Sequence, residues 1–385
     1  MKRRAATAAM LLAVSLPAAR VGARTFRETF ERPITRPIGD ALAASIGRSL
    51  PLTAASAGIT FSFDKETQVF ERETDILGQV FLERPRPLGR GKWNLSASYQ
   101  WVRIDTLDGR DLDALSDTRF PIIDPRNGRP FTVPRFGLDL ATHQVTTSLT
   151  YGATADLDLN LTVPVLYSTF ESRVIFRDAA TGREQRAHVR ASSTGVGDLF
   201  LRGKQRFAHG RWGDVAAGLV LRVPTGNEDD FQGTGAWEVA PMLYAATPSV
   251  AVGPRVRLQA YANGGVDLDA GDVERSEGRL GIGVDGAVAE RLTVAVAVLG
   301  REPFAGIAPP GFFDVTRVDP RTGRRFRAPV LGFDRGRANP YDLSLGGRVD
   351  LWRDTVFGFV NVLLPLDRAG FRSDVIPLIG LEAAF

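Results

Sequence analysis

Val375-Ile-Pro-Leu-Ile-Gly-Leu-Glu-Ala-Ala-Phe385 closes the chain. Counting back by twos from Phe385 gives Ala383, Leu381, Ile379, Pro377 and Val375, all apolar. The other register holds Ala384, Glu382, Gly380 and Leu378, which is smaller and more polar. Such a segment is a strand with one greasy and one polar face, stopping at an aromatic. An edge strand of a soluble sheet carries the same alternation, so the rest of the chain must decide.

Period-two alternation recurs throughout, and a helix cannot produce it. Trp93, Leu95, Ala97, Tyr99 and Trp101 oppose Asn94, Ser96, Ser98 and Gln100. Val145, Thr147, Leu149 and Tyr151 oppose Gln144, Thr146, Ser148 and Thr150. Leu157, Leu159, Leu161, Val163 and Val165 oppose Asp158, Asn160 and Thr162. Leu199 and Leu201 oppose Asp198, Arg202 and Lys204, and Val215 through Val223 alternate with Ala216, Gly218 and Arg222. Similar segments follow near 236–246, 255–267, 278–287, 290–300, 341–352 and 355–366. With the terminal strand this makes about twelve, each near the 9–11 residues that a tilted membrane strand needs.

The connections between them alternate short and long. Short ones fall near 152–155, 208–213, 247–254, 287–290 and 352–354; long ones near 105–137, 168–193, 224–235, 267–277, 301–340 and 367–374. Counted back from Phe385, every long connection lies on one side. A membrane barrel does this, with short periplasmic turns and long external loops. The expected fold is therefore all-β: an antiparallel transmembrane barrel of about twelve strands (92–385), whose final strand resembles the closing strand of bacterial outer-membrane barrels and would be read by the barrel-assembly machinery. Aromatics near strand ends (Tyr99, Trp101, Tyr151, Tyr167, Phe207, Tyr341, Trp352 and Phe385) suit interfacial girdles.

Residues 1–23 read as a signal peptide: Lys2-Arg3-Arg4, an apolar run too short to span a membrane, and small residues up to Ala23. Those 23 residues carry four of the positive charges, Arg20 being the fourth, so the net charge of +4 falls to zero without them. Nothing then favours a nucleic-acid partner. The chain has no cysteine, which excludes disulfides and thiolate chemistry.

Residues 24–91 are of another kind. Ile38, Leu42, Ile46 and Leu50 recur every four residues, suggesting a short helix; Ile59-Thr-Phe61-Ser-Phe63 and Gln79–Glu83 suggest short strands. Either these add a wall hairpin, giving fourteen strands, or the segment folds inward as a plug. Glu71, Arg72, Glu73 and Asp75 could not easily sit at mid-membrane in a lipid-facing wall. In the plug reading its charges would pair with Arg202, Arg206, Asp285 and Arg348.

Three stretches share a turn: Asp124-Pro-Arg-Asn-Gly128-Arg, Asp178-Ala-Ala-Thr-Gly182-Arg and Asp319-Pro-Arg-Thr-Gly323-Arg. Asp first and Gly fifth suit a tight turn needing one φ > 0 residue, so hairpins rising beyond the membrane are expected.

Further words carry a family likeness: Gly195-Val-Gly-Asp198-Leu with Arg202 and Lys204, then Leu221-Arg-Val-Pro-Thr-Gly226-Asn-Glu-Asp-Asp230 with Gly233-Thr-Gly235, and Gly89-Arg-Gly-Lys-Trp-Asn-Leu-Ser-Ala-Ser-Tyr99. Over roughly 55–385 the chain resembles the outer-membrane proteins named for the MetA pathway of phenol degradation, often labelled simply transporters. The resemblance implies an outer-membrane barrel passing small hydrophobic or aromatic solutes passively, with no cofactor. The alternative is a structural or surface-interaction barrel without transport.

Inward positions should hold the wall's charges, because lipid-facing Arg or Lys costs about 2–4 kcal/mol at mid-membrane. The lumen-facing candidates are Asp156, Asp158, Asp198, Arg202, Lys204, Arg206, Arg222, Arg257, Arg279, Asp285, Arg348, Asp350 and Glu382. They form either a lattice of ion pairs or a selective pore lining; with both signs present, strong ion selectivity is not expected. Segment 301–340 holds eight arginines against four acids. Arg321, Arg324, Arg325 and Arg327 are candidates for lipopolysaccharide phosphate, which suits guanidinium forks. The acidic runs at 105–113 and 228–230 do not match an EF-hand spacing, so no metal site is expected. A barrel hydrolase would need a serine–histidine pair on the outer wall. His143 could face lipid there, but no His-Asp-Ser-Asn-Gly-like word accompanies it, and His188 and His209 fall in a loop and a turn. The chain is read as non-enzymatic.

Overall fold

The computed structural model describes residues 50–54, 61–64, 69–72, 76, 80–107, 109–123, 130–178, 180–288, 291–304, 311–318, 325–332, 339–352 and 354–385. Twelve strands form the wall: β1 Trp93–Ile104, β2 Pro130–Gly152, β3 Leu157–Asp178, β4 Leu199–Gly210, β5 Gly213–Val223, β6 Glu238–Ala246, β7 Val256–Asp269, β8 Glu277–Val288, β9 Leu292–Pro303, β10 Tyr341–Trp352, β11 Val356–Pro365 and β12 Ile376–Ala384. Each pairs antiparallel with the next, and β12 returns to β1 (Leu378 opposite Gln100, Ala384 opposite Asn94). Trp93 and Phe385 seal the closure, each donating its N–H to the other's carbonyl at 2.8 and 2.9 Å.

No edge is left in the ring, which is the condition for a sheet to cross a bilayer. The fourteen-strand alternative is corrected: strands 61–64 and 69–72 pair with each other, not with the wall. Residues 80–82 are bends rather than a strand. The proposed helix repeat lies, except for Leu50, outside the described residues.

Alternation places the two faces. On β3, Leu159 and Leu161 are 48% and 39% exposed, whereas Asp158 and Asn160 are 3% and 6% exposed. The outward set continues through Leu95, Leu149, Leu201, Leu219, Leu243, Ile282, Val296, Leu345, Val360 and Ile379. An apolar belt around a closed barrel with a polar interior is the pattern of a transmembrane barrel of the outer-membrane type. The tilted rings of Trp93 and Tyr151 meet at 4.5 Å between centroids near the short-turn end. Toward the other end His143 lies between Tyr99 and Tyr167, with its Nδ1 2.7 Å from the Tyr99 hydroxyl. An amphipathic ring at the bilayer interface accounts for that trio.

Strands β2 and β3 have 23 and 22 residues, about twice what a membrane needs. The regions 105–137 and 168–193, read above as loops, are thus largely continuing strand. Segment 115–123 flanks β2 and segment 184–196 flanks β3, making a four-stranded paddle beyond the bilayer. Above the membrane, lipid no longer enforces alternation, so the sequence pattern fades there. At the tip of β3 the Asp178 carboxylate accepts from the N–H groups of Ala180 and Thr181 at 2.9 and 2.8 Å, and Gly182 takes φ 70°. Residues 124–129 and 319–324, the other two copies of this turn, lie outside the described residues; the strands flanking them do pair.

Within the paddle, Glu171 binds Arg173, His188 and Arg190 at 2.5–3.0 Å. Burial pushes its carboxyl up, but the bonds from Arg190, His188 and Arg173 outweigh that and hold it at about 2.

Candidate functional site in the lumen

Inward side chains of the wall meet three inserted pieces of chain. Toward the periplasmic end, residues 80–92 run through the interior. Lys204 on β4 is their anchor: its Nζ lies 2.8 Å from the Glu83 carboxylate and donates to the carbonyls of Arg84 (2.8 Å) and Arg86 (3.2 Å). Asp158, opposite Lys204 in the register, accepts the Leu88 N–H with both oxygens at 3.0 Å. Arg86 donates to Asp214 at 2.6 Å, and Arg84 donates to the Gln259 side chain and the Ile76 carbonyl, both at 2.9 Å. Ile76, Val80, Leu82 and Leu88 are buried beside these contacts.

The second piece is residues 224–237, which bend in between β5 and β6. Two of the three sequence words that carried the family likeness meet here. Segment 184–196 and β4 form one line of chain, broken at Gly197-Asp198. Asp198, 1% exposed, fills the break: it accepts from the N–H groups of Gly226 and Thr234 (both 2.9 Å), the Thr234 hydroxyl (3.3 Å) and Arg222 Nε (2.7 Å). A Cβ on Gly226 or Gly233 would strike the opposite backbone or Asp198 itself, so the inturned segment needs glycine there. Phe231 swings under this turn with φ 61°, a rare conformation for a non-glycine residue, and is buried.

Phe231 belongs to an apolar stopper at the outer mouth, with Val102, Ile104, Leu107, Leu112, Leu138, Leu140 and Phe170. Leu107 and Leu112 come from the third inserted piece, the connection after β1. Below the stopper lies a cavity of about 250 Å³. Its lining mixes apolar side chains, among them Leu52, Phe81, Leu82, Leu166, Phe200 and Met242, with charged ones of both signs: Arg202, Arg222, Arg279 and Arg301 against Glu83, Asp198, Glu238, Asp267 and Asp342.

The charged candidates sort as follows. Arg222 bridges Asp198 and Glu238; Arg348 binds Glu382 at 3.0 Å, which also accepts from Asn94; Arg279 binds Asp267 and Glu277. Arg206 binds Asp156 at 2.7 Å. Asp285 is fully buried between β7 and β9. Two expectations change. Arg257 is exposed at the short-turn rim, bonded to Ser249, where the strand projects past the barrel interior. Asp350 sits at the same rim, accepting the Asp354 N–H. The partners expected for the N-terminal segment also differ: Lys204, Asp158 and Asp214 receive it, while Arg206 and Arg348 bind Asp156 and Glu382 on the wall. Arg202 contacts it by a hydrogen bond to the Thr53 carbonyl at 3.0 Å, with the Glu83 charge nearby.

Sequence reading missed Asp214, although its inward parity against Val215 and Ala217 was there to find. It also missed Gln259 and Tyr244, because polar residues with ordinary turn or strand propensity carry no distinguishing pattern. Arg325 is exposed on strand 325–332, which also contains Arg327; Arg321 and Arg324 lie outside the described residues.

No family model and no curated protein matches the chain. Among solved structures it is similar to an outer membrane channel from Pseudomonas putida F1 (14% identity, 78% of this chain and 98% of that one, TM-score 0.47). It is also similar to a Pseudomonas aeruginosa FadL homologue (14%, 89% and 97%, 0.35) and to a deletion mutant of the TodX monoaromatic hydrocarbon channel (9%, 86% and 98%, 0.32). Likeness at this level says nothing about what the barrel carries; the strand ring itself establishes the fold.

Proposed function

We propose that this chain is an outer-membrane channel for passive passage of small hydrophobic or aromatic solutes, with residues 24–91 acting as its plug. The observation carrying this reading is the lumen cavity, which joins apolar side chains to charged ones. A barrel built only to stand in the membrane has no need of it, because unpacked interior space lowers stability. The plug is held both by polar contacts to Lys204, Asp158 and Asp214 and by the buried side chains of Ile76, Val80, Leu82 and Leu88.

Export by the leader 1–23, insertion through the assembly machinery that reads the strand ending at Phe385, and lipopolysaccharide contact by Arg321, Arg324, Arg325 and Arg327 complete the proposal. Liposome swelling with benzyl alcohol, and single-channel recording, should show passage that rises when residues 24–91 are deleted. Absence of permeability in both forms would leave the second reading, a closed structural barrel. That reading draws on the stopper around Phe231 and on the paired lumen charges.

A further inference from the structure

On the inward face of the wall, Lys204, Arg206, Arg222, Arg279 and Arg348 each hold a carboxylate. Arg202 on the same face does not. Two residues from Lys204 on β4, it lines the cavity, yet among the described residues no carboxylate comes within ion-pair range of it. Glu83 beside it is bonded to Lys204. The Arg202 guanidinium donates one hydrogen bond, to the Thr53 carbonyl, and lies 5.9 Å from the Phe200 ring centre. A guanidinium has five N–H donors, and among the described residues this bond uses one of them. The Tyr244 side chain, 6% exposed, lines the same space.

We propose that this cavity binds a small organic acid, its carboxylate taken by Arg202 and its hydrocarbon part by Phe81, Leu82, Leu166, Phe200 and Met242. The inference rests on the lumen's being a solute path and narrows the solute class. A neutral hydrocarbon filling the cavity would strip solvent from the guanidinium and return no acceptor, which disfavours it. A carboxylate matches the planar fork of the guanidinium. The volume of about 250 Å³ lies just below the range of roughly 300–1,000 Å³ typical of drug-sized ligands, so it suits one ring or a short chain.

The test is calorimetric titration of the full chain in detergent with benzoate and with benzyl alcohol, near neutral pH. Benzoate should bind at least about tenfold more tightly, the scale of one hydrogen bond to a charged group. Arg202→Met should erase that preference while keeping the affinity for benzyl alcohol, and Arg202→Lys should keep part of the preference. Heat-modifiable migration reports whether each variant is folded; if Arg202→Met is not, the native ratio and Arg202→Lys still decide. Equal affinities in the native chain, no benzoate binding, or a preference that survives Arg202→Met overturns the site. Passage of both solutes into liposomes without a binding preference rejects the anion site and keeps the channel. Preference without passage of either rejects the channel and keeps the site.

Discussion

Asp198→Asn isolates the joint between the broken wall strand and the inturned segment 224–237. One Asp198 oxygen accepts from Gly226 N–H; the other accepts from Thr234 N–H, the Thr234 hydroxyl and Arg222 Nε. An amide has one acceptor oxygen and one NH₂. Whichever way it turns, its NH₂ must face a backbone donor, so at least one buried bond to a charged group is lost, about 1.5–3 kcal/mol. The remaining bonds lose their charge assistance. Arg222 keeps Glu238 at 3.2 Å, which limits the damage from an orphaned cation. A net local loss of about 3 kcal/mol follows, and at 1.4 kcal/mol per tenfold this is roughly a hundredfold in the opening equilibrium of the segment. Amide hydrogen exchange, read by mass spectrometry on peptides covering 224–237, measures that opening while the barrel stays closed. Protection there should fall by that factor and stay unchanged in β8 through β11. Unaltered exchange at Gly226 and Thr234 in the variant would show that Asp198 does not hold the segment, and the joint described above would be wrong.

Single cysteines at positions 158 and 159 should differ: Leu159→Cys should react with a membrane-dissolved maleimide and Asp158→Cys should not, and the reverse order would refute the register of β3. Lys204→Met removes the anchor of residues 83–88 while leaving Glu83 and Asp158 in place. Cleavage of residues 80–92 by a periplasmic-side protease should accelerate about tenfold or more, since a lost bond to a charged group is worth about 1.5–3 kcal/mol; native-like protection would argue against Lys204 as the latch. On the paddle, the carboxyl of Glu171 is held below its usual value, at about 2, so its contribution is complete above the unfolded value near 4.5 and is lost as pH falls through about 2. Hydrogen exchange of strands 168–178 and 184–194, corrected for intrinsic rates, should therefore quicken progressively as pH falls from about 4.5 to about 2 and level off below, whereas Glu171→Gln should remove that pH step; native protection unchanged between pH 5 and 2 would contradict the assignment.

Much of this molecule is legible in its sequence. Lipid demands an apolar side chain at every second position of a wall strand, and water-filled or protein-filled interior demands the opposite at the others. That constraint wrote the twelve strands, the facing of Leu159 against Asp158, and the inward set of charges directly into the sequence. It also fixed which connections are short, because the chain must return at once on the periplasmic side. Where the constraint lapses, the reading failed. Above the bilayer, β2 and β3 continue as strands that the sequence showed as loops, since hydrogen bonds to neighbours hold them without a periodic pattern.

The lumen was decided by tertiary structure alone. Residues 80–92 and 224–237 have no regular secondary structure long enough to leave a period, and their partners are remote: Leu88 finds Asp158, Arg86 finds Asp214 and Gly226 finds Asp198. Which inward cation meets which acid depends on strand register and on how far each strand is displaced around the ring. Parity could say that Arg202 and Arg206 point inward, but only the assembled barrel sets Arg206 against Asp156 and Arg202 against the lumen cavity. Side-chain alternation is a local property of the chain, whereas ion-pair partners and cavities exist only after distant segments share one interior.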